Sequence, residues 1–589
     1  MGKRRIYKTQ SWVELAVMLV ILVILNTLAG FYYKRFDLTT EKRFTLSETS
    51  KKLASALSEK LYFKLYLNGE MSGNFKQLRS EIQDMAYEFR EASGGKIEIE
   101  ALDPLKGKEG SERAKILNEF VQKGIEPKSD IEDENGDETR IRELIPGAEF
   151  NYKNNTFYAN FFEYDAALSV DENFQRAIEN IEYEMANALR QCVTEKTKRI
   201  IVADGNGEMI DNRVQSFAAE LRKYYSIEAV NLNIADTNAG KPFLQKMMAN
   251  PDSAELILMN SLQRRLNLAD LLMIVKPLHD YTPAELFLID QFLMQGGRVL
   301  WMVDPVHIEI DSFENNESQV ALDYGLENIN SMLNTYGVLF NNDLLLDAMC
   351  NRIPYMEQGR MRMINWWYFP LFTDKNEAHI ITKNVGAVWS QFPSTLKIKP
   401  RKEINTIPLL TSSARSKVVN TPATVEMTKV IMQQTPEYLQ QYLATMNAGP
   451  KTTGVLLEGN FNSAFANQKR FTDIPFKKSG KSKMVVIADG DLIRNQVSSR
   501  GGNYPTGFDR FNRMTFANKK FMLNCIDYMI DDNGLIEIRG KEIGLRLLDK
   551  TKIKTEKLFW QQVNILVPIG IVLLFGATNF WIRKRKYAR

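Results

Sequence analysis

Two long apolar runs, one near each end, constrain this chain more than any other feature of its sequence. Residues 13–31 read VELAVMLVILVILNTLAGF and contain one charge, Glu14, whereas residues 563–582 read VNILVPIGIVLLFGATNFWI and contain none. About 20 helical residues, rising 1.5 Å each, cross a hydrocarbon core that is ~30 Å thick. Aromatic residues stand at the edges of both runs, as is typical of membrane–water interfaces. The sequence therefore predicts transmembrane helices at 12–33 and 560–582.

Basic residues outside the two runs predict their orientation. Four lysines and arginines lie within 1–11 and five within 583–589, and such clusters favour the cytoplasmic side of a membrane. Both termini are therefore predicted to be cytoplasmic, with the bulk of the chain in the periplasm, anchored in the inner membrane of a Gram-negative bacterium. The alternative is a cleaved signal peptide that ends at Thr27-Leu28-Ala29.

Charge and motifs argue against several classes of protein. The nine terminal basic residues exceed the net charge of +4, so the rest of the chain is negative and offers no basic face for nucleic acid. Cys192, Cys350 and Cys525 form neither a CxxC pair nor a metal-binding spacing. The nearest match to a phosphate loop, Gly480-Lys481-Ser482, has Pro475 where the first glycine should stand. With no GxSxG motif either, the sequence predicts no cofactor, no metal and no enzymatic activity.

The first periplasmic part, residues 34–195, is predicted to be a small α/β domain with a connecting helix. Its predicted elements are a strand at 61–67, an amphipathic helix at 75–89, a strand at 97–101, a helix near 111–123, a hairpin around 154–155 and the connecting helix at 174–189. The βαβ unit at its start has a thioredoxin-like outline without the redox cysteines. The acidic segment 129–138 is predicted to be a solvated loop rather than a calcium loop, because Asn135 stands where an EF-hand needs glycine.

The second periplasmic part is predicted to be a doubly wound, mostly parallel α/β domain. It begins in 196–310 and closes in 481–559, and 311–480 is an insertion or a further α/β region. Its predicted elements are strands at 200–203, 256–259, 271–275, 299–303, 410–413 and 484–489, and helices at 214–224 and 283–294. Such an alternation of strands and helices is typical of a parallel sheet. The predicted fold class is thus α/β, with two transmembrane helices flanking a multi-domain periplasmic part.

Two strand ends carry the candidate ligand-facing residues. The first strand runs into Asp204, Gly205, Gly207 and Glu208, and the last runs into Asp489 and Asp491. Crevices at the carboxyl ends of strands bind ligands in open α/β sheets, and paired carboxylates there can bind a cation. Ordinary tight turns at strand ends are the alternative.

Several segments together resemble the gliding-motility ABC-transporter auxiliary protein family, GldG. The resemblance rests on FDLTTEKRFTLSETSKKL (36–53), GNGE (205–208), IDQFLMQGGRVLWMVD (289–304), NTYGVLFNNDLLLD (334–347), VVIADGDLIRNQ (485–496) and NCIDYMIDDNGLIEIRGKEIGLRLLD (524–549). It runs nearly from end to end and is specific as a set. One departure is Asn206, because the family often has GHGE at this position.

The resemblance implies a membrane-anchored, non-catalytic subunit in a Bacteroidota-type bacterium. Its implied partners are a separate ABC ATPase and a separate permease, with a cargo that the sequence does not identify. Two other hypotheses stay open. One is an anchored periplasmic hydrolase or carbohydrate-binding module, which needs converging acid and base groups at the strand edge. The other is a structural linker of the cell envelope, which needs a broad apolar patch.

Overall fold

Two compact units make up the computed structural model, Met1–Lys541 and Glu542–Arg589. The structure describes residues 45–134, 138–164, 169–193, 198–235, 251–314, 316–357, 360–373, 379–383, 385–467, 471–498, 501–530 and 550–587, together with 13, 16–24 and 26. Its helices and strands confirm the predicted mixed α/β class. The domain boundaries within the first unit stay predictions.

The first part of the chain builds a four-stranded sheet covered by helices. Its elements are α1 (Glu48–Ser55), β1 (Leu61–Leu65), α2 (Gly73–Ala92), β2 (Ile97–Ala101), α3 (Gly110–Gln122), β3 (Lys128–Glu134), β4 (Glu138–Leu144), β5 (Gly147–Tyr152), β6 (Asn155–Asn160) and α4 (Val170–Val193). The strand order is β2-β1-β5-β6, with β1 and β2 parallel around α2, as the βαβ prediction requires. Lys153 and Asn154 take positive φ angles of 47° and 66°, which make the tight turn of the predicted hairpin β5–β6.

The acidic segment 129–138 differs from its prediction. Most of it is strand, because β3 pairs antiparallel with β4 from Lys128↔Leu144 to Glu134↔Glu138. A solvated loop was the wrong expectation for these residues. Asp130 is 4% exposed and accepts a hydrogen bond from the Ser72 N–H at 2.7 Å, so its side chain is covered despite its charge, whereas Ile131, next to it, is 62% exposed.

The second part of the chain builds a seven-stranded sheet. Its elements are β7 (Arg199–Asp204), α5 (Gln215–Leu221), β8 (Ser226–Asn231), α6 (Pro251–Leu266), β9 (Leu271–Val275), α7 (Pro283–Met294), β10 (Arg298–Met302), β19 (Ile404–Thr411), β22 (Thr452–Asn462), β23 (Ser479–Ile487) and α11 (Asn518–Ile530). The order is β19-β22-β23-β10-β9-β7-β8. The five strands from β23 to β8 are parallel, whereas β22 and β19 add antiparallel strands at one edge.

Apolar residues alternate along these strands between two cores. Trp301 and Val486 face one side of the sheet, where α6, α7 and α8 pack, and Leu300 and Val485 face the other side, where α5 and α11 pack. Helix α7 begins with a capping box in which Thr282 and Glu285 satisfy each other's backbone amides, and its first residue is Pro283. Burial on both faces is why the strands read as continuous apolar runs.

One predicted strand is wrong. Residues 256–259 lie inside helix α6 and not in the sheet. Met259, Leu262 and Leu266 recur at spacings of three and four and are buried against α7, which is the pattern of a packed helix. The four-residue apolar run was too short to reveal that period.

Between β10 and β22 the described residues form two- and three-stranded sheets and three helices, in addition to β19. These elements are β11 (Val306–His307), β12 (Ser318–Asp323), α8 (Glu327–Tyr336), β13 (Val338–Phe340), β14 (Asp343–Asp347), β15 (Cys350–Glu357), β16 (Arg360–Phe372), β17 (Val388–Trp389), β18 (Leu396–Ile398), β20 (Ser416–Asn420), β21 (Ala423–Glu426), α9 (Met427–Met432) and α10 (Leu439–Ala444). A separate core that includes Trp366 packs much of this segment, whereas α8, β13 and β18 pack in one core of the seven-stranded sheet. After β23, the described residues up to Ile530 form β24 (Phe508–Asp509), β25 (Met514–Thr515) and α11.

The second unit is one helix, α12 (Lys550–Tyr587). Within it, Phe559–Ile582 is the one segment of the described residues that is long and apolar enough to cross a membrane, and none of that stretch is buried. This agrees with the predicted helix at 560–582. The predicted helix at 12–33 lies partly outside the described residues. Within that span, residues 16–24 are helical and exposed. The resemblance segments 36–53 and 524–549 also lie partly outside them.

Candidate functional site

Four loops meet at the carboxyl edge of the parallel strands. They follow β7, β9, β10 and β23 and contribute Glu208, Lys276, Asp304 and Asp491. Because β9 and β10 lie between β7 and β23, the two predicted candidate groups are not brought into contact with each other. Lys276 and Asp304 fill the space between them.

Lys276 is the centre of a buried ion cluster. Its Nζ lies 2.7 Å from Asp491 Oδ2, 3.0 Å from Asp304 Oδ2 and 2.8 Å from Glu309 Oε1. The lysine is 2% exposed and takes a positive φ of 48°, which is uncommon for a residue with a Cβ. Its backbone N–H donates to Met302 O at 2.7 Å, which fixes the turn after β9.

Glycine at position 490 makes room for this lysine. A Cβ at Gly490 would lie 2.6 Å from Lys276 Cβ and 2.8 Å from its Cγ. The Gly490 N–H donates to Asp304 Oδ1, so the same residue also orients one of the carboxylates around the ammonium.

Arg494 closes the cluster on its outer side. Its Nη1 lies 3.1 Å from Glu309 Oε2 and 3.6 Å from Asp491 Oδ1, and its Nη2 lies 2.5 Å from Asp311 Oδ2. Glu309 therefore bridges the buried lysine and the arginine. Lys276 and Arg494 thus pair with four carboxylates, those of Asp304, Glu309, Asp311 and Asp491.

The pKa shifts follow from burial and from these pairs. Burial would lower the pKa of Lys276, but Asp304, Asp491 and Glu309 outweigh it and raise that pKa well above its ordinary value. Burial raises the pKa of Asp304 to about 6, against the opposing effect of Lys276. For Asp491, burial is outweighed by Lys276 and Arg494, which lower its pKa.

Asp489 connects the sheet edge to the segment between β10 and β22. Its Oδ2 accepts hydrogen bonds from Ser390 Oγ and from the Gln391 N–H at 2.9 Å, and its Oδ1 accepts from the Asp491 N–H at 2.7 Å. Burial, together with Asp304 and Asp491 nearby, raises the pKa of Asp489 well above its ordinary range. The Asp489 carboxyl therefore links the end of β23 to the loop after β17 by hydrogen bonds.

The loop after β7 is a tight turn. Asp204 Oδ1 accepts from the Gly205 N–H at 2.7 Å. Gly205 and Gly207 have φ angles of 107° and 79°, which glycine adopts without steric cost. A Cβ at Gly205 would also lie 2.3 Å from Asn231 Oδ1. Geometry alone therefore requires both glycines of the GNGE segment.

Glu208 stabilises the turn after β7 through hydrogen bonds made by its buried carboxylate. Its Oε2 accepts from the Asn206 N–H at 2.7 Å, and its Oε1 accepts from the Tyr281 hydroxyl. Glu208 is 7% exposed, and burial raises its pKa. Asn206 O in turn accepts from the backbone amides of Leu278 and His279, so the loops after β7 and β9 are joined.

The six predicted site residues therefore differ in what they face. Asp489, Asp491 and Glu208 are 1%, 5% and 7% exposed and bond to protein groups, whereas Asp204 is half-buried at the outer side of its turn. Among the described residues there is no group of three or more His, Cys, Asp or Glu arranged to hold a metal ion. An internal ammonium takes the position that a cation would need between Asp304 and Asp491. Whether this edge binds a ligand stays a prediction.

Sequence reasoning missed Lys276, Asp304, Glu309 and Arg494. A lysine directly after the fully apolar strand LLMIV, and an aspartate directly after VLWMV, were the available signals. A charge that follows a buried strand lies at the same edge as the other strand ends whenever the strands are parallel.

Two cavities lie away from this edge. One, of about 1010 Å³, opens at the ends of β1 and β2 and is lined by charged residues that include Lys106, Arg113 and Arg142. The other, of about 370 Å³, lies beside edge strand β19 and has mainly apolar walls that include Leu409 and Phe521.

The thiols show no reactive environment. Cys192, Cys350 and Cys525 are free, and burial raises the pKa values of Cys192 and Cys350 to about 12. A thiol with so high a pKa is a weak nucleophile at neutral pH.

Comparison with known proteins places two family models on the chain. Residues 197–525, which contain the seven-stranded sheet and its carboxyl edge, match the model described as an ABC-type uncharacterized transport system. Residues 40–151 match a domain of unknown function, DUF7088.

Individual relatives are distant. An uncharacterized protein of Borreliella burgdorferi is 20% identical over 598 residues, covering 98% of this chain and 99% of its own length. Among solved structures, the mmIFT52 N-terminal domain aligns at 14% identity with a TM-score of 0.30, covering 57% of this chain and 98% of that one. The family model spans more than half of the 589 residues, and the chain therefore belongs to the family of auxiliary proteins of an ABC-type uncharacterized transport system.

Proposed function

We propose that this protein is a membrane-anchored, non-catalytic auxiliary subunit that works with a separate ABC ATPase and a separate permease. The observation that carries the proposal is the family match over residues 197–525, which contain the whole seven-stranded sheet. The exposed apolar stretch Phe559–Ile582 supports anchoring in a membrane. The resemblance to GldG supports a role in gliding motility or envelope transport.

In this proposal both termini are cytoplasmic, and the bulk of the chain lies in the periplasm. Basic residues flank the apolar runs at 1–11 and 583–589, which favours that orientation. ATP hydrolysis by the partner moves the permease helices, and the two spans of this chain pack against them. The periplasmic body receives the motion or holds an exported cargo.

The geometry of the sheet edge suits transmission of motion better than turnover of a substrate. Lys276 and Arg494 form ion pairs with the carboxylates from within, and Asp489 binds the neighbouring segment through Ser390. Side chains that pair with one another across several loops make this part of the body rigid.

Affinity purification of the full-length chain in a mild detergent, followed by mass spectrometry, tests the proposal. We expect an ABC ATPase and a multi-span permease in stoichiometric amounts. Recovery of neither, under conditions that keep a control transporter intact, would refute the role and favour an anchored hydrolase or an envelope linker.

Orientation has its own test. Fluorescent-protein fusions that mature only in the cytoplasm are expected to fluoresce at the C-terminus and to stay dark when inserted at the exposed turn after Gly501. A bright insertion would contradict the periplasmic placement without affecting the partner result.

A further inference from the structure

Three methionines concentrate at the turn end of one hairpin. Strands β15 and β16 pair without interruption from Arg352↔Asn365 to Glu357↔Arg360. Residues 356–363 read MEQGRMRM, so three of these eight residues are methionine, against 24 methionines in the 589 residues of the chain. The proposed function makes no use of this concentration.

The pairing places all three methionine side chains on one face of the ribbon. Met356 lies directly opposite Met361, and Met363 follows Met361 two residues later on β16. Directly paired residues share a face of a sheet, and so do residues two apart on one strand. The arginines of the same turn end, Arg360 and Arg362, alternate with the methionines of β16 and therefore belong to the other face.

Backbone hydrogen bonds show that Met356 and Met361 form a close pair. The Asn365 N–H donates to Gln434 Oε1 at 2.9 Å, and Asn365 O accepts from Gln434 Nε2 at 2.7 Å. The backbone polar groups of Asn365 thus point away from β15, so its pair with Arg352 is a non-hydrogen-bonded pair. Such pairs recur at every second rung, which makes Met356↔Met361 one of them. The two Cα atoms of such a pair are only about 4.5 Å apart.

The sulfurs on this face are accessible. Met356 and Met361 are 62% and 66% exposed, and Met363 is partly exposed. Among the described residues no hydrogen bond reaches these three sulfurs, whereas Sδ of Met349, just before β15, accepts one from Thr373 Oγ1 at 3.5 Å. Unbranched side chains whose Cα atoms are about 4.5–7 Å apart can bring their sulfurs together around one ion.

The base of the hairpin supports this face and adds one positive charge to it. Ile353 and Trp366 are buried in the separate core of this segment. On the face of the methionines, Arg352 Nε donates to Asn365 Oδ1 at 3.3 Å. This guanidinium repels a divalent ion more than a monovalent one, because Coulomb repulsion scales with the charge of the ion.

We propose that Met356, Met361 and Met363, here called the methionine face, bind one copper(I) ion through their three thioether sulfurs. Thioethers are soft, neutral ligands that select Cu(I), whereas Zn²⁺ sites are built from thiolate, imidazole and carboxylate. The methionine face is too small for a protein-docking patch, because Met356 and Met361 are the large apolar residues exposed on the described part of the ribbon. The proposal depends on neither the transporter role nor the membrane anchor.

Competition with a Cu(I) chelator measures the site in the full-length chain. The chain, in mild detergent and without oxygen, is titrated against Cu(I) that ascorbate keeps reduced and bicinchoninate holds. We expect the native chain to withdraw one equivalent more than the variant that combines Met356→Leu, Met361→Leu and Met363→Leu. Loss of an outer-shell partner already costs about 10–100-fold in metal affinity, so removal of one direct ligand by Met361→Leu alone should weaken binding roughly tenfold or more.

The leucine substitutions separate metal binding from other roles of these side chains. Leucine keeps the apolar volume of methionine, so the variants should stay folded, and contact with an apolar partner would survive while Cu(I) uptake is lost. Met349→Leu is the matched control, because it removes a thioether that is 42% exposed at the other end of β15, and it should leave Cu(I) binding unchanged.

Three results would overturn the proposal. The first is equal Cu(I) uptake by the native chain and the triple leucine variant, and the second is uptake that an excess of Zn²⁺ abolishes. The third needs no variant. With Ag(I), a redox-stable substitute for Cu(I), the NMR signals of the labelled methyl groups of Met356, Met361 and Met363 should shift while that of Met349 stays in place. Absence of those shifts would contradict a thioether site.

Discussion

Replacement of Lys276 by methionine should destabilise the fold more than any single change on the protein surface. Methionine keeps most of the side-chain volume but removes the ammonium that lies 2.7–3.0 Å from Asp491, Glu309 and Asp304. Breaking a buried ion pair by removing one partner costs about 3–5 kcal/mol, since the remaining charge is left uncompensated. We expect a loss of that size in the free energy of unfolding of the full-length chain. Urea unfolding in mild detergent, followed by tryptophan fluorescence, measures it, because Trp301 is buried in β10, three residues before Asp304.

The loss should depend on pH in a defined direction. In the native protein Asp491 has a lowered pKa, so its stabilising contribution is present above the unfolded pKa and is lost as pH falls through the folded value. Without Lys276, burial is opposed less, so the pKa of Asp304, already raised to about 6, rises further and that of Asp491 rises as well. The variant then binds protons on folding, so its deficit should be larger near pH 8 than near pH 5. A deficit below about 1 kcal/mol that is flat with pH would refute the cluster's role, provided that Lys397→Met, at an exposed lysine, stays within about 0.5 kcal/mol of the native chain.

Three further predictions concern other features. Gly490→Ala should cost about 1–3 kcal/mol because its Cβ would lie 2.6 Å from that of Lys276, whereas Gly502→Ala, with no atom nearer than 3.5 Å, should be near neutral; thermal unfolding compares them. In a double-mutant cycle, Glu208→Ala and Tyr281→Phe should show a coupling energy of about 1–3 kcal/mol, because either change alone removes the hydrogen bond between the two side chains. Additive losses would contradict the observed contact. Leu573→Arg, near the middle of the apolar stretch, should cost about 2.5–3.5 kcal/mol of insertion and lower the fluorescence of the C-terminal fusion that matures only in the cytoplasm, and unchanged fluorescence would argue against a span there.

Short sequence patterns were sufficient to predict many of the helices and strands. Helix α7 could be bounded at Pro283 and Met294 because a capping box opens it and Gly296-Gly297 follows it. Strands β9, β10 and β23 could be located because their apolar runs are short and end at polar turns. The prediction of a strand at 256–259 was wrong because four apolar residues are too few to show a helical period, and only the contacts of Met259 with other elements identify a helix.

The candidate site could be predicted only in part, for a reason that is not local. Asp489 and Asp491 were found because they directly follow a buried strand. Lys276, the partner of Asp491, is 215 residues from it along the chain, and the pairing exists only because β10 lies between β9 and β23. Strand order is a property of the whole sheet, so no window of sequence contains it.

That strand order also determines when the protein can finish folding. Strand β10 pairs with β23 at Val299↔Met484, so the sheet remains open along the apolar strand β10 while the intervening residues are synthesised. An unpaired apolar strand edge is a site for aggregation, and pairing across such a separation is slow. We therefore expect the nascent chain to need protection of the β10 edge until residue 487 has emerged, and truncations that end between 303 and 478 to accumulate as aggregates rather than as folded fragments.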